Sequence, residues 1–126
     1  MSAARLLQAA TVARLAGVGR VFDAPPTRSA MPYLVVEHPV LAADDAVGVA
    51  GRRGMLAVTC SDGGSSPERV RASLAAVETA LAALPGAIGE GWRVTAVRLA
   101  RSTVGQAKGE GWSGTSVFAV RMYRIN

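Results

Sequence analysis

Val70, Leu74, Val77, Leu81 and Leu84 recur at steps of four and three residues, which on a helix gathers them into one apolar stripe. A helix with a single stripe must bury it, so the rest of the chain has to supply a surface. Its boundaries are marked. Ser65 and Glu68 have capping-box spacing, Pro67 falls in the first turn where its missing N–H costs little, and Pro85-Gly86 stops the run.

The covering surface reads as β-sheet. Pro32 to Glu37 is a compact, branched run too short for a helix, and Met55 to Cys60 is a second strand. Trp92 to Arg101 and Trp112 to Ile125 are rich in Val, Thr and Trp and predict a long C-terminal hairpin with a flexible tip over Ser102 to Gly111. Pairing Val94 with Val120 and Ala96 with Phe118 would make one face of that hairpin apolar and set Arg93 opposite Arg121. A first helix is expected over Ala3 to Leu15, ended by Gly17 or Gly19, and Arg20 to Pro26 is a short extended piece stopped by two prolines. Residues 40–54, with glycines at 48, 51 and 54 and no sustained periodicity, read as a mobile loop. With 126 residues, half of them hydrophobic, the chain holds one modest core. The expected fold is α+β, a single two-layer domain over residues 1–126 with a mixed or antiparallel sheet, two helices on one face and a long C-terminal hairpin.

The formal net charge of +5 is unevenly placed. Residues 1–91 hold eight Arg and eight acids, whereas residues 92–126 set Arg93, Arg98, Arg101, Lys108, Arg121 and Arg124 against Glu110 alone. That segment is either an anion-facing surface or a hairpin kept soluble by its charge. Catalytic signals are weak throughout. Lone His38 and lone Cys60 read as structural residues, Cys60 as a buried strand residue, and there is no spaced His/Cys cluster for a metal. Gly17-Val18-Gly19 lacks the third glycine of a dinucleotide loop, because Phe22 stands in its place. Lys108 precedes Gly109 in the reverse of P-loop order, and Asp44-Asp45 read as solvated loop charge. Gln8 and Arg14 interrupt the apolar N-terminal run, so no signal-peptide core or membrane span is expected, and a single cysteine fits a reducing compartment.

The run Gly17-Val18-Gly19-Arg20-Val21-Phe22-Asp23-Ala24-Pro25-Pro26, followed by Met31-Pro32-Tyr33 leading a strand, resembles the N-terminal pattern of tail-terminator, or tail-completion, proteins of long-tailed phages and gene transfer agents. The later strand, helix and hairpin ending in Arg121-Met122-Tyr123-Arg124 are similar to the rest of that family. The resemblance implies a structural virion protein with no enzymatic activity and no cofactor. Its copies would form a ring, a homohexamer, on the head-proximal end of the tail tube, ending tube growth and joining the tail to the head-completion (stopper) connector protein. Its location would be the neck of the virion, and the host cytoplasm during assembly. DNA would pass non-specifically through a lumen faced by Arg93, Arg101 and Arg121. Asp44, Asp45, Arg52, Arg53, Gln106, Lys108 and Glu110 are the expected assembly-loop residues. A rival reading is a small nucleic-acid-binding module using the basic hairpin, with Tyr123 beside the arginines. A small enzyme ranks below both.

Overall fold

The computed structural model describes residues 1–125. In chain order the elements are α1 (Ala3–Leu15), β1 (Val21–Phe22), β2 (Tyr33–Val36), β3 (Val40–Ala43), β4 (Val49–Asp62), α2 (Glu68–Ala82), β5 (Gly86–Gly89), β6 (Trp92–Gln106) and β7 (Trp112–Ile125). The strands form one curled sheet in the order β1-β2-β4-β7-β6-β5, with β3 pairing β4 alongside β2. Only β1 and β2 run parallel. This is the α+β architecture expected, with the C-terminal hairpin in place.

The α2 stripe lands where the spacing puts it. Val70, Leu74, Val77 and Leu81 are buried against Leu56, Val58 and Cys60 of β4 and Phe118, Val120 and Met122 of β7, each set being alternate residues on one face of its strand. Trp92, Val94, Leu34 and Val36 extend the same layer under α1, which adds Leu6, Leu7 and Leu15. Contact is closest at Gly114, where a Cβ would stand 2.8 Å from Val70 Cγ1 and from Leu74 Cδ1, so the missing side chain lets α2 lie directly on β7. Asp62, buried at the end of β4, accepts hydrogen bonds from Arg69 Nε at 3.0 Å and Nη2 at 2.7 Å, which pins the start of α2 to the sheet. Gln8, a break in the apolar pattern of α1, is also buried. Its Nε2 donates to Val36 O and Asp23 O while its Oε1 accepts from Arg5 Nη1, so the amide ties α1 to β2 and to the segment after β1.

Several expectations are corrected. Residues 40–54 are not a mobile loop: β3 and the first half of β4 form a hairpin there, turning at Val47-Gly48. Its glycines mark close approach, since a Cβ at Gly54 would strike Val40 O and one at Gly51 would strike Asp44 O. The capping box does not form. Pro67 is the N-cap, and the Glu68 N–H is held instead by Ser66 Oγ at 3.3 Å. Helix α1 stops before Gly17 with Ala16 still right-handed, and neither Gly17 nor Gly19 has positive φ. The hairpin tip is shorter than expected, residues 107–111, because pairing runs out to Gln106 and Trp112. The β6–β7 register also differs. Val94 faces Met122, Ala96 faces Arg121, Val97 faces Val120 and Arg93 faces Tyr123, because β6 carries two bulges that shift its pairing.

Two outcomes follow. Gly114→Leu should destabilise the chain by about 1–3 kcal/mol through overpacking between α2 and β7, seen as a lower urea midpoint. Cys60 sits in the core, where burial pushes its thiol pKa from 9.0 up to about 12. The unfolded chain releases that proton near pH 9 and the folded chain holds it to about pH 12, so stability is lost as pH rises through that window. Its slope there should be steeper than that of Cys60→Ala by about 1.4 kcal/mol per pH unit, and equal slopes would contradict the burial.

Candidate anion-facing sheet surface

Both helices pack on the face carrying Leu56, Val58, Phe118 and Val120, so the residues alternating with these point to a face that no element covers. Cross-strand pairing arranges that open face in rows. One row runs Ala42, Arg53, Arg121, Ala96 across β3, β4, β7 and β6, and the next runs Val40, Met55, Ala119, Arg98. Gly51, Tyr123 and Arg93 lie on one side of these rows, and Ala57, Val117 and Arg101 on the other.

The bulges of β6 make this surface basic. Arg93, Arg98 and Arg101 do not share one parity, so on a regular strand they could not all face the same way. One irregularity lies between Val94 and Ala96 and another between Leu99 and Arg101. Each inserts an unpaired residue and reverses the alternation, bringing all three arginines to the open face. Arg121 lies beside them, directly opposite Arg53 on β4. All five side chains are exposed, and none forms an ion pair among the described residues. Like charges directly across a sheet repel, so Arg53 and Arg121 make this a surface that gains stability when an anion arrives.

Arg93, Arg101 and Arg121 therefore lie on one open face, with Arg121 opposite Arg53 and not opposite Arg93. Arg98 joins them and was missed as a site residue, because its parity hides it unless the bulges are known. Arg52 and Arg53, both expected in a loop, lie on β4 and point to opposite faces. Arg52 stacks at 5.3 Å over the buried Trp92 ring, which Arg124 also stacks on at 5.1 Å, and its Nη1 donates to Asp45 Oδ1 at 3.2 Å. Asp44 and Asp45 lie beside the β3–β4 turn, with Asp45 Oδ1 also accepting from Gly51 N at 2.8 Å. Gln106 closes β6, and Lys108 and Glu110 are exposed on the short turn before β7. The two turns stand at opposite ends of the sheet, since Val49 pairs with Ile125 and Asp62 with Trp112. Along the 14 residues of β4 that is a separation of about 45 Å. His38 is exposed and Cys60 is buried, so they make no nucleophilic pair. Among the described residues no group of three or more His, Cys, Asp or Glu is placed to hold a metal, and no helix is long and apolar enough to cross a membrane.

A family profile described as tail completion protein gp17 matches residues 3–123, nearly the whole chain. The chain belongs to this family. It is thus a structural protein of the virion tail, in agreement with the resemblance carried by Arg20-Val21-Phe22-Asp23 and Pro32-Tyr33. A chain in a solved structure titled "Virion of native gene transfer agent (GTA) particle" has the same fold, with a TM-score of 0.83 at 22% identity, covering 98% of this chain and 99% of that one. No curated protein matches in sequence. In this chain the two neighbouring arginines of β4 should behave oppositely. Arg52→Gln loses its stacking on Trp92 and should lower stability by about 0.5–1 kcal/mol. Arg53→Gln relieves the repulsion with Arg121 and should raise it by about 0.3 kcal/mol at low salt, with earlier elution from a heparin column. Thermal melts and salt-gradient elution read both.

Proposed function

We propose that copies of this chain close into a ring, probed first as a hexamer, on the head-proximal end of the tail tube, where the ring ends tube growth and presents its other side to the head connector. The observation that carries this reading is the bare sheet face with its five arginines that form no ion pair among the described residues, on a chain of the tail-completion family. A channel for DNA needs a positive wall that attracts phosphate without reading bases, and arginines over a floor of alanine and valine meet that need. Arg93, Arg101 and Arg121 would line the lumen. The opposite placement of the two turns suits a part that meets two neighbours. Asp44 and Asp45 would serve one contact and Gln106, Lys108 and Glu110 the other. No reaction is involved.

The nucleic-acid-module reading loses ground on the same surface. Tyr123 is the one aromatic in register with the arginine rows, and a stacking platform for single strands uses several.

Mixed with tail tubes, the protein should form a ring with six-fold symmetry at one end of each tube in electron micrographs, and tubes should stop lengthening. Arg93→Glu with Arg101→Glu should leave the ring intact while lowering DNA delivery by completed particles about tenfold, because the wall then repels phosphate. A chain that stays monomeric and ignores the tubes would overturn the reading.

A further inference from the structure

The open face holds a groove of about 480 Å³ between β3 and β6, and the same chain carries a knob that fits its chemistry. The floor includes Val40, 75% exposed, Met55, 47% exposed, and Ala119. Arg53, Arg98 and Arg121 line it as well, and none of the three is paired among the described residues. An apolar floor beside unpaired cations calls for an occupant with an apolar tip and a carboxylate. DNA passing through a channel would use the charge and leave the exposed Val40 and Met55 without a function.

The β3–β4 turn has that composition. Val47 is 103% exposed, the most exposed large apolar residue of the chain, and Asp44, also exposed, makes no side-chain hydrogen bond or ion pair among the described residues. The turn is stiff. Ala46 and Val49 exchange backbone hydrogen bonds of 2.9 and 3.0 Å, Gly48 takes a φ of +73°, and Asp45 is clamped to Gly51 N and Arg52. A full-size apolar side chain held at the tip of a rigid turn is preorganised for contact and loses little entropy on docking. The hairpin cannot place its own tip on the face of its own strands, so knob and groove can only meet between chains.

We infer that Val47 and Asp44 of one copy seat in the Val40–Met55 groove of the next, Val47 on the apolar floor and Asp44 against Arg53 and Arg121. Knob and groove are different patches, so each copy gives one and receives one. Such a head-to-tail contact propagates around an axis and closes when the rotation allows. The inference rests on the ring reading and names the seam between its subunits. It keeps Arg93 and Arg101, outside the groove, at the lumen and moves Arg121 from the lumen wall to the seam.

The test uses cysteine variants at exposed positions in the full chain, each with Cys60→Ala, mixed with tail tubes and treated with a short bismaleimide cross-linker. Val47→Cys chains mixed with Met55→Cys chains should give a cross-linked dimer, and neither alone should. Arg121→Glu on the Met55→Cys chain should lower the yield about tenfold, and Asp44→Arg on the Val47→Cys chain should restore it, as expected for a directly opposed charge pair. Rings that assemble on tubes with no Val47–Met55 cross-link would overturn this seam and leave the ring standing. Val47→Cys chains that cross-link to one another would also overturn it, because that marks a two-fold contact. A chain that never self-associates, even on tubes, would end both.

Discussion

Everything in this molecule follows from a sheet that is covered on one side only. The stripe on α2 and the smaller apolar face of α1 fill the layer over β4 and β7, and the described residues form no third helix with which to close the other side. An α+β domain of this size would ordinarily present solvent-friendly alternation there. Here the uncovered face concentrates unpaired arginines and, beside them, exposed valine and methionine. Both kinds of side chain are disfavoured on an isolated monomer and acceptable in an assembly, the cations beside phosphate or carboxylate and the apolar groups beside a neighbour. The proposed ring would give each of them a counterpart.

Much of the scaffold was readable from residues alone. The Val70 to Leu84 stripe, the Pro32–Glu37 strand and the apolar face of α1 depend on periodicity and on proline, which act locally and leave a clear mark. The β3–β4 hairpin was not readable. Gly48, Gly51 and Gly54 look like loop punctuation, yet Gly51 and Gly54 exist because β3 and its turn press against β4 too closely for a Cβ. That is a long-range packing fact with a local signature shared by loops. The site was half legible for a related reason. Charge counting isolates the basic C-terminal segment and picks out Arg93, Arg101 and Arg121, but strand parity would set Arg98 among the buried residues. Two bulges, which no residue pattern announces, place it with the others. Arg53 likewise sits in a stretch whose glycines suggest a loop, and only its pairing with Arg121 sets it on the same face.

The two adjacent arginines of β4 show how finely one strand divides its labour. Arg52 turns to the helix-covered face, where it stacks on Trp92 and holds Asp45, stiffening the turn that projects Val47. Arg53 turns to the open face and contributes to the repulsive row with Arg121. Structural support and unsatisfied charge thus stand one residue apart, and the alternation of a β-strand is the whole mechanism that separates them. Placing the two turns at opposite ends of the long β4–β7 pairing extends the same logic, giving one rigid element two separate ends, as the proposed ring between two neighbours would need.

In the proposed ring Arg93 and Arg101 of the bare face line a channel occupied by DNA. This placement is tested most directly by arginine footprinting with a small dicarbonyl reagent on completed particles, before and after their DNA has been released, read by mass spectrometry. Arg93 and Arg101 should be protected while DNA is present and become reactive when the channel empties, with the Arg52 signal unchanged. Equal reactivity of Arg93 and Arg101 in filled and emptied particles would contradict it.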